Sequence, residues 1–414
     1  MTLLLIIIFS FFWLLLLFYS ILTIAGVYYR LKKRPAPIIE SWPSVSILIP
    51  AHNEGLVLED TLKAMQRLTY PGRLEVFVLN DNSTDTTAET AQQFADAFQR
   101  MHHIPVPAAV HEPKGKSRVL NYGLRLIDTD YFLVYDADNQ PEEHAVTRLM
   151  EQALAHPDAA GAVGYVRTAN AGQNWLTRMI ALEFQVFQLL MQCGRWQLFR
   201  IGSLAGTNML LKKDVLDAAG GYDLYALAED AELTIRLTSA GWTLPVVPEA
   251  VTWEQEPETL KALIKQRTRW LIGNLYLLEK IFRDKAMWKS RSFHHAFQHV
   301  SMYFAFAVLL LVSHVCFIIS LTGLAAPMFA APILMFWFMS YMVYTMQLLS
   351  TVVLDQNVSP KKVITVAVMY FTYAQLFILL LLRSGGIYLW KRMLLRQTIG
   401  WDKTARYKGR SRAV

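Results

Sequence analysis

Cysteine is nearly absent: Cys193 and Cys316 are the two in 414 residues, far apart and at no metal-ligating spacing. Zinc-ribbon and disulfide-framework folds are thereby excluded, and both thiols are expected to pack rather than pair. Charge is scarce too, at 18% of residues against about 25% in an average soluble protein. From Thr2 to Tyr29 there is no charged residue at all. That run is long enough for a hydrocarbon layer of about 30 Å. It is too long for a secretory core and no small-residue cleavage pattern follows, so a retained anchor is expected. Internal repeats and low-complexity tracts are lacking. A complete P-loop is lacking as well, because Lys114-Gly115-Lys116-Ser117 has no first glycine at the required spacing.

What is abundant is apolar sequence, 54% of the chain. Beyond the anchor it collects in Ser301–Leu324, Phe329–Leu354 and Val363–Leu382. The expected layout is an anchor at 1–29, a large cytoplasmic domain at 30–250 and amphipathic interfacial helices at 251–295. Transmembrane helices at 296–390 and a basic tail at 391–414 complete it. The net charge of +7 does not point to nucleic acid, because the positives gather beside apolar segments. Arg30, Lys32, Lys33 and Arg34 follow the anchor, and Lys391, Arg392, Arg396, Lys403, Arg406, Lys408, Arg410 and Arg412 fill the tail. Lys and Arg flanking spans mark the cytoplasmic side. The expected location is therefore the inner (plasma) membrane, multi-pass, with the large domain in the cytoplasm. One anchor plus three later crossings would leave the tail outside, against the charge rule. A cytoplasmic tail is expected instead, with one segment re-entrant or interfacial.

Within the large domain, strands alternate with helices, which predicts an α/β fold with a mostly parallel sheet. Val45–Pro50 and Leu74–Leu79 read as buried strands, Ala108–His111 as a short third, and Tyr131–Tyr135 as the next. Helices are expected over Val57–Leu68, from the cluster Asn80–Asp85 to Arg100, and over Lys116–Leu126.

In such sheets ligands bind beyond the carboxyl ends of the strands. Asn53, Glu54 and Asp81 lie just past the first two strands, and Asp136-Ala137-Asp138 directly follows a later one. A carboxylate such as Asp81 accepts hydrogen bonds from a base N–H or a ribose hydroxyl. Two aspartates at i and i+2 suit one cation shared with a diphosphate, since hard divalent ions take oxygen ligands. Lys116 at a helix amino terminus suits the same diphosphate. Glu229-Asp230 opens an amphipathic helix, where acids are favoured by the dipole alone. A functional reading makes Asp230 the acceptor of a proton from an attacking hydroxyl. Gln266, Arg269 and Trp270 recur at i, i+3 and i+4 and share one helix face. An amide, a guanidinium and an indole suit a sugar hydroxyl, a diphosphate and a sugar ring.

In this order, Asp81, Asp136-Ala137-Asp138, Glu229-Asp230 and Gln266-x-x-Arg269-Trp270 resemble the membrane-embedded family 2 glycosyltransferases. These include the synthases of cellulose, chitin, hyaluronan and poly-N-acetylglucosamine. The resemblance implies a GT-A type nucleotide-sugar-binding domain with transmembrane helices at both ends, Mg²⁺ or Mn²⁺ as cofactor, and a UDP-sugar donor. By it, Asp81 contacts uridine, Asp136 lines the diphosphate site, Asp138 holds the metal and Asp230 is the base of an inverting transfer. Glu229, Gln266, Arg269 and Trp270 serve the acceptor and diphosphate, with Gly206 and Thr207 under the acceptor sugar and Lys116 near the nucleotide. Ala228 stands where several of these synthases have Thr. The implied acceptor is a growing β-linked polysaccharide, or alternatively a single membrane lipid. UDP-N-acetylglucosamine is the first-choice donor, and a small membrane accessory subunit is a further candidate partner. A transporter that only senses nucleotide-sugars would carry charges inside its spans, and these segments hold almost none.

Overall fold

The computed structural model describes residues 2–32, 37–109, 112–283, 306–322, 327–355, 358–394 and 407. An eight-stranded sheet forms the centre, with strand order β3-β2-β1-β4-β7-β6-β8-β5. Its strands are β1 Val45–Ala51, β2 Leu74–Asn80, β3 Met101–Pro105, β4 Tyr131–Val134, β5 Gln140–Pro141, β6 Gly161–Thr168, β7 Met209–Lys212 and β8 Val246–Glu254. The third strand is thus Met101–Pro105 and not the expected Ala108–His111. Pairing with β2 begins at Met101 opposite Val76 and ends at Pro105, which cannot donate to a ladder. Ala108 and Ala109 are irregular, and Val110–His111 lie outside the described residues.

Helices α2 Leu58–Gln66, α3 Thr87–Ala97, α4 Lys116–Leu124, α5 Ala145–Leu154 and α9 Glu229–Ser239 cover the sheet. Val45, Ile47 and Ile49 of β1 pack with Leu58, Leu62, Val146 and Leu149 on one face. Leu48 points the other way, into a second core with Val119, Leu120, Leu233 and Leu237. Burial on both faces is why these strands read as continuous apolar runs instead of alternating.

The sheet is mixed: six of its eight strands run one way, in keeping with a mostly parallel sheet, and β5 and β7 run the other. β1, β2, β3 and β4 are mutually parallel, whereas β7 runs antiparallel to β4, with Val134 opposite Met209. The reversal has a consequence for position. It carries the loop before β7, Gly206-Thr207-Asn208, to the carboxyl end of β4 beside Asp136. β6 is antiparallel to β7 and parallel to β8, so Glu254 at the end of β8 reaches the same rim. β8 also runs past residue 250, the expected edge of the domain.

The segment expected to be an anchor forms α1, Thr2–Leu31. It packs on a continuous helical rod made of α6 Trp175–Gln185, a π-helical stretch Val186–Gln192 and α7 Cys193–Phe199. Two glycines permit the close approach: a Cβ on Gly26 would lie 2.4 Å from the Leu190 carbonyl oxygen, and one on Gly194 2.2 Å from that of Leu22. The Tyr29 hydroxyl then donates to the Val246 carbonyl at 2.7 Å, fastening α1 to β8.

After α8 Lys213–Ala218 and α9 comes α10 Leu260–Arg283, followed by α11 Phe306–Leu321, α12 Pro327–Leu354, α13 Pro360–Met369 and α14 Leu376–Tyr388. Among the described residues, Phe9–Leu31 and Ala331–Leu354 are the helices long and apolar enough to cross a membrane. The expected span Val363–Leu382 is broken at Tyr370–Gln375 into two short helices. Most of the predicted basic tail, and the approach to Ser301–Leu324, lie outside the described residues. Neither cysteine is in a disulfide, and Cys193 is buried in a small core beside Trp196.

Candidate active site

The loops at the carboxyl rim of the sheet and one face of α10 enclose a cavity of about 2390 Å³. Its wall includes Asn53, Glu54, Asp81, Lys116, Asp136, Gly206, Thr207, Glu229, Asp230, Gln266, Arg269 and Trp270. Twelve of the thirteen residues singled out in the sequence therefore share one space. The thirteenth, Asp138, is 3% exposed and set back from the wall that Asp136 and Ala137 form.

At the centre sits Lys116, the first residue of α4. Its Nζ donates to Asp136 Oδ1 at 2.5 Å and to the Gly206 carbonyl at 2.7 Å, with Glu229 Oε1 at 3.8 Å. Burial works against its charge, but Asp136, Glu229 and Asp230 outweigh that and raise its pKa. The ammonium is therefore a fixed positive charge where a diphosphate would need one. Gly206 has φ of +78°, a left-handed conformation, and a Cβ there would sit 3.5 Å from Asp230 Oδ2. The residue type is thus set by backbone conformation, since a Cβ at that distance would only touch the acid.

Asp230 lies in the first turn of α9, its Oδ1 accepting from the Ala231 N–H at 2.8 Å. Burial, then the neighbouring Glu229 carboxylate, pushes its pKa up to about 7, against the pull of that N–H and of Lys116. A carboxylate tuned near neutrality in a cleft has the profile of a general base.

The Asp136-Ala137-Asp138 loop is held from the antiparallel side. The Thr207 hydroxyl accepts from the Asp136 N–H at 3.1 Å and donates to Asn139 Oδ1. Asn139 in turn donates to Glu254 Oε2 at 3.2 Å. Asn208, at φ +50°, donates to the Ala250 carbonyl at 2.8 Å and receives the Tyr135 hydroxyl. Asn53 has a positioning task as well: its Oδ1 accepts from the Thr84 N–H at 2.7 Å and joins the loops after β1 and β2.

On α10, Gln266 is buried, and its Oε1 has no hydrogen-bond partner among the described residues. Trp270 meets Phe184 edge to face at 6.1 Å. The residue between, Arg267, did not stand out in the sequence. Its guanidinium lies 4.3 Å from the centre of the Trp270 ring and bonds Glu183 at 2.7 Å, and the Tyr373 hydroxyl reaches the same carboxylate at 2.6 Å. Glu256 was equally unmarked. It is 2% exposed, and burial foremost, with Glu183 and Asp138 adding, raises its pKa to about 8 against Arg267 and a bond to Gln266. Neither carries a sequence signal, because a charged residue in an acid-rich or lysine-rich peptide looks solvated until the fold buries it. Beyond Trp270 the cavity continues between α11, α12 and α14, past His314, Trp337, Tyr344, Tyr370 and Tyr373.

Comparisons with known proteins give the family and the fold. The family profile described as Glycosyltransferase like family 2 matches residues 43–273. The chain is 37% identical over 371 residues to the probable glycosyltransferase YdaM of Bacillus subtilis, covering 88% of this chain and 87% of that one. It is 26% identical over 254 residues to the poly-beta-1,6-N-acetyl-D-glucosamine synthase of Staphylococcus aureus, covering 61% and 60% of the two chains. In structure it superposes on a Pyrobaculum calidifontis mannosyltransferase, solved with GDP-Man and Mn²⁺, with a TM-score of 0.60. That match has 20% identity and covers 89% of this chain and 99% of the other, which establishes a shared GT-A fold. A mixed sheet whose carboxyl rim collects these acids, matched by the family profile over most of that sheet, makes this chain an enzyme of glycosyltransferase family 2.

Proposed function

We propose that the enzyme transfers a sugar from a UDP-sugar, with UDP-N-acetylglucosamine as donor, onto a growing β-linked polysaccharide at the inner face of a membrane and passes the product outward. The observation that carries this reading is the continuity of one cavity. It runs from Asp81 and Lys116 past Asp230 to Trp270, and on to the aromatic residues between helices. At about 2390 Å³ it exceeds the roughly 300–1,000 Å³ of a single-ligand pocket, so donor and acceptor fit together.

In the proposed reaction an acceptor hydroxyl lies against Asp230. Its oxygen attacks the anomeric carbon from the face opposite the diphosphate, the proton passes to the Asp230 carboxylate, and the C–O bond to the diphosphate breaks with inversion. Negative charge grows on the departing diphosphate. Arg269 and Lys116 are the cations in the cavity wall suited to stabilise it. Trp270 offers a flat face to the acceptor sugar, steadied by Arg267 beneath it.

Among the described residues no three His, Cys, Asp or Glu side chains form a closed metal cage. That fits Mg²⁺ or Mn²⁺ at a phosphate, where one or two carboxylates suffice and the substrate supplies the other oxygens. Asp136 in the wall and Asp138 just behind it are the donors of that kind, and the Mn²⁺ bound with GDP-Man in the structural relative is consistent with a divalent cation here. When bound, such an ion would neutralise charge on the leaving diphosphate.

The membrane arrangement also supports export. The carboxyl end of α12 is tied to the domain, where Arg167 of β6 pairs with Asp355. From there α13 leads inward, Gln375 at the break meets His314 of α11 at 2.7 Å, and α14 returns until the Tyr388 hydroxyl meets Glu279 of α10. With α1 and α12 as crossings and α11, whose described part is 16 residues, proposed as a third, a re-entrant α13–α14 returns the basic tail to the cytoplasm, as the charge rule requires. A second reading, transfer of one sugar to a membrane lipid, is favoured by one feature: Phe12, Leu15 and Leu16 of α1 and Phe336 give the cavity an apolar flank. Membranes containing the enzyme, incubated with a panel of radiolabelled UDP-sugars, separate the two. A polymer supports the first reading, a single lipid-linked product the second, and no transfer from any UDP-sugar overturns both.

A further inference from the structure

The family resemblance assigns Asp81 to uridine; what surrounds it says how that base would be selected. We propose that Arg118 is a specificity-determining residue that selects uracil over guanine by occupying one of the two Asp81 oxygens. The inference rests on the reading of this cavity as a nucleotide-sugar site.

Asp81 follows β2, its N–H donating to the Ala51 carbonyl at 2.8 Å and its side chain lining the cavity at 19% exposure. Its described side-chain hydrogen bonds converge on Oδ1. Arg118 Nη2 donates there, and so does Asn82 Nδ2 at 3.0 Å. Both donors are tied down elsewhere. Arg118 is buried and its Nη1 donates to the Pro107 carbonyl at 2.8 Å. Asn82, at φ +53°, also donates to the Val106 carbonyl at 3.2 Å. The guanidinium is thus held from two sides and cannot swing away without losing both bonds. Asp81 is left with Oδ2 as the acceptor for a ligand.

One acceptor suits one base edge. Uracil presents a single N3–H between two carbonyls, and Oδ2 satisfies it. Guanine presents N1–H and N2–H side by side, a pair that a carboxylate meets with both oxygens. With Oδ1 taken, one guanine donor stays unpaired in a desolvated site. Cytosine and adenine set a bare ring nitrogen where uracil has its N–H, so they meet Oδ2 lone pair against lone pair. A site built for one hydrogen-bonding pattern rejects the other because buried polar groups are left unmatched. The discrimination expected from one unpaired donor is roughly ten- to a hundredfold in affinity.

The test is binding of free UDP and free GDP, each with Mg²⁺, to the full-length enzyme in detergent by calorimetry, for the wild type, Arg118→Ala and Arg118→Lys. UDP should bind the wild type at least about tenfold tighter than GDP. In Arg118→Ala one of the two lone pairs of Oδ1 that Arg118 and Asn82 fill is released, so Asp81 can meet both guanine donors and the ratio should collapse toward one. Arg118→Lys, which keeps the charge but cannot span Asp81 and Pro107, should fall between, and it gives the same readout should the alanine variant not fold. A wild type that prefers GDP, or variants that keep the wild-type ratio, overturn the inference while nucleotide binding itself still stands. If neither nucleotide binds, the nucleotide-sugar reading fails, and this inference with it.

Discussion

Asp230→Asn probes the proposed chemistry through two independent readouts. Burial beside Glu229 places the Asp230 pKa at about 7. A base must be ionised to accept a proton, so wild-type kcat/KM should fall about tenfold per pH unit below that value and level off above it. The amide cannot take the proton at any pH. A positioned general base contributes about 10²–10⁴ in rate, or roughly 3–5 kcal/mol of barrier, and that is the loss expected. UDP affinity should change little, because the amide keeps the shape of the acid. Stability should move the other way. The folded-state pKa lies above the ordinary aspartate value of 3.8, so the folded chain prefers the protonated acid. That preference is fully present below 3.8 and is lost as pH rises through about 7. At pH 8 the wild type carries a buried charge that the variant lacks, worth on the order of a few kcal/mol. Asp230→Asn should therefore melt higher than wild type at pH 8, and the two should nearly coincide at pH 4. Radiolabelled transfer and thermal melts at both pH values measure these effects. Undiminished turnover in the variant would refute the base assignment, and equal melting at pH 8 would refute the burial argument.

Trp270→Ala should raise the acceptor KM by roughly fivefold, the value of about 1 kcal/mol of aromatic contact, while UDP affinity stays near wild type. An initial-rate series in acceptor concentration checks it. Gly206→Ala forces a Cβ at φ +78° beside Asp230 and should cost about 1 kcal/mol of stability together with a clear fall in kcat, read by melting and turnover. Removal of divalent ions with EDTA should abolish transfer, and added Mg²⁺ or Mn²⁺ should restore it in a titration. Lys116→Met removes the bonds to Asp136 and Gly206 and should weaken UDP binding by about tenfold, as calorimetry would show.

Much of the catalytic rim was legible because its residues fall just past apolar strands. Asp81 and Asp136 are examples: in a parallel α/β sheet any polar residue at that point is delivered to one edge, whatever the rest of the chain does. The i, i+3, i+4 spacing of Gln266, Arg269 and Trp270 was legible for a similar reason, since helix geometry alone gives them a common face. The short third strand was not. Ala108–His111 lacks bulk, and Met101–Pro105 gains its strand only by pairing with Val76–Asn80. Such pairing is a long-range contact that local propensity does not encode.

Linear order and local period were thus enough to locate the acids, the long apolar first helix and the helix that closes the cavity. Other features exist only in three dimensions. Gly206 reaches Lys116 because β7 runs against β4, and that direction follows from how the chain returns to the sheet. Arg118 covers Asp81 from 37 residues away, and Arg267 braces Trp270 with its guanidinium 4.3 Å from the ring centre while Glu183 holds it from the other side. Ionic and aromatic side chains acquire their partners, and their altered proton affinities, from solvent exclusion. Only the folded chain provides that exclusion.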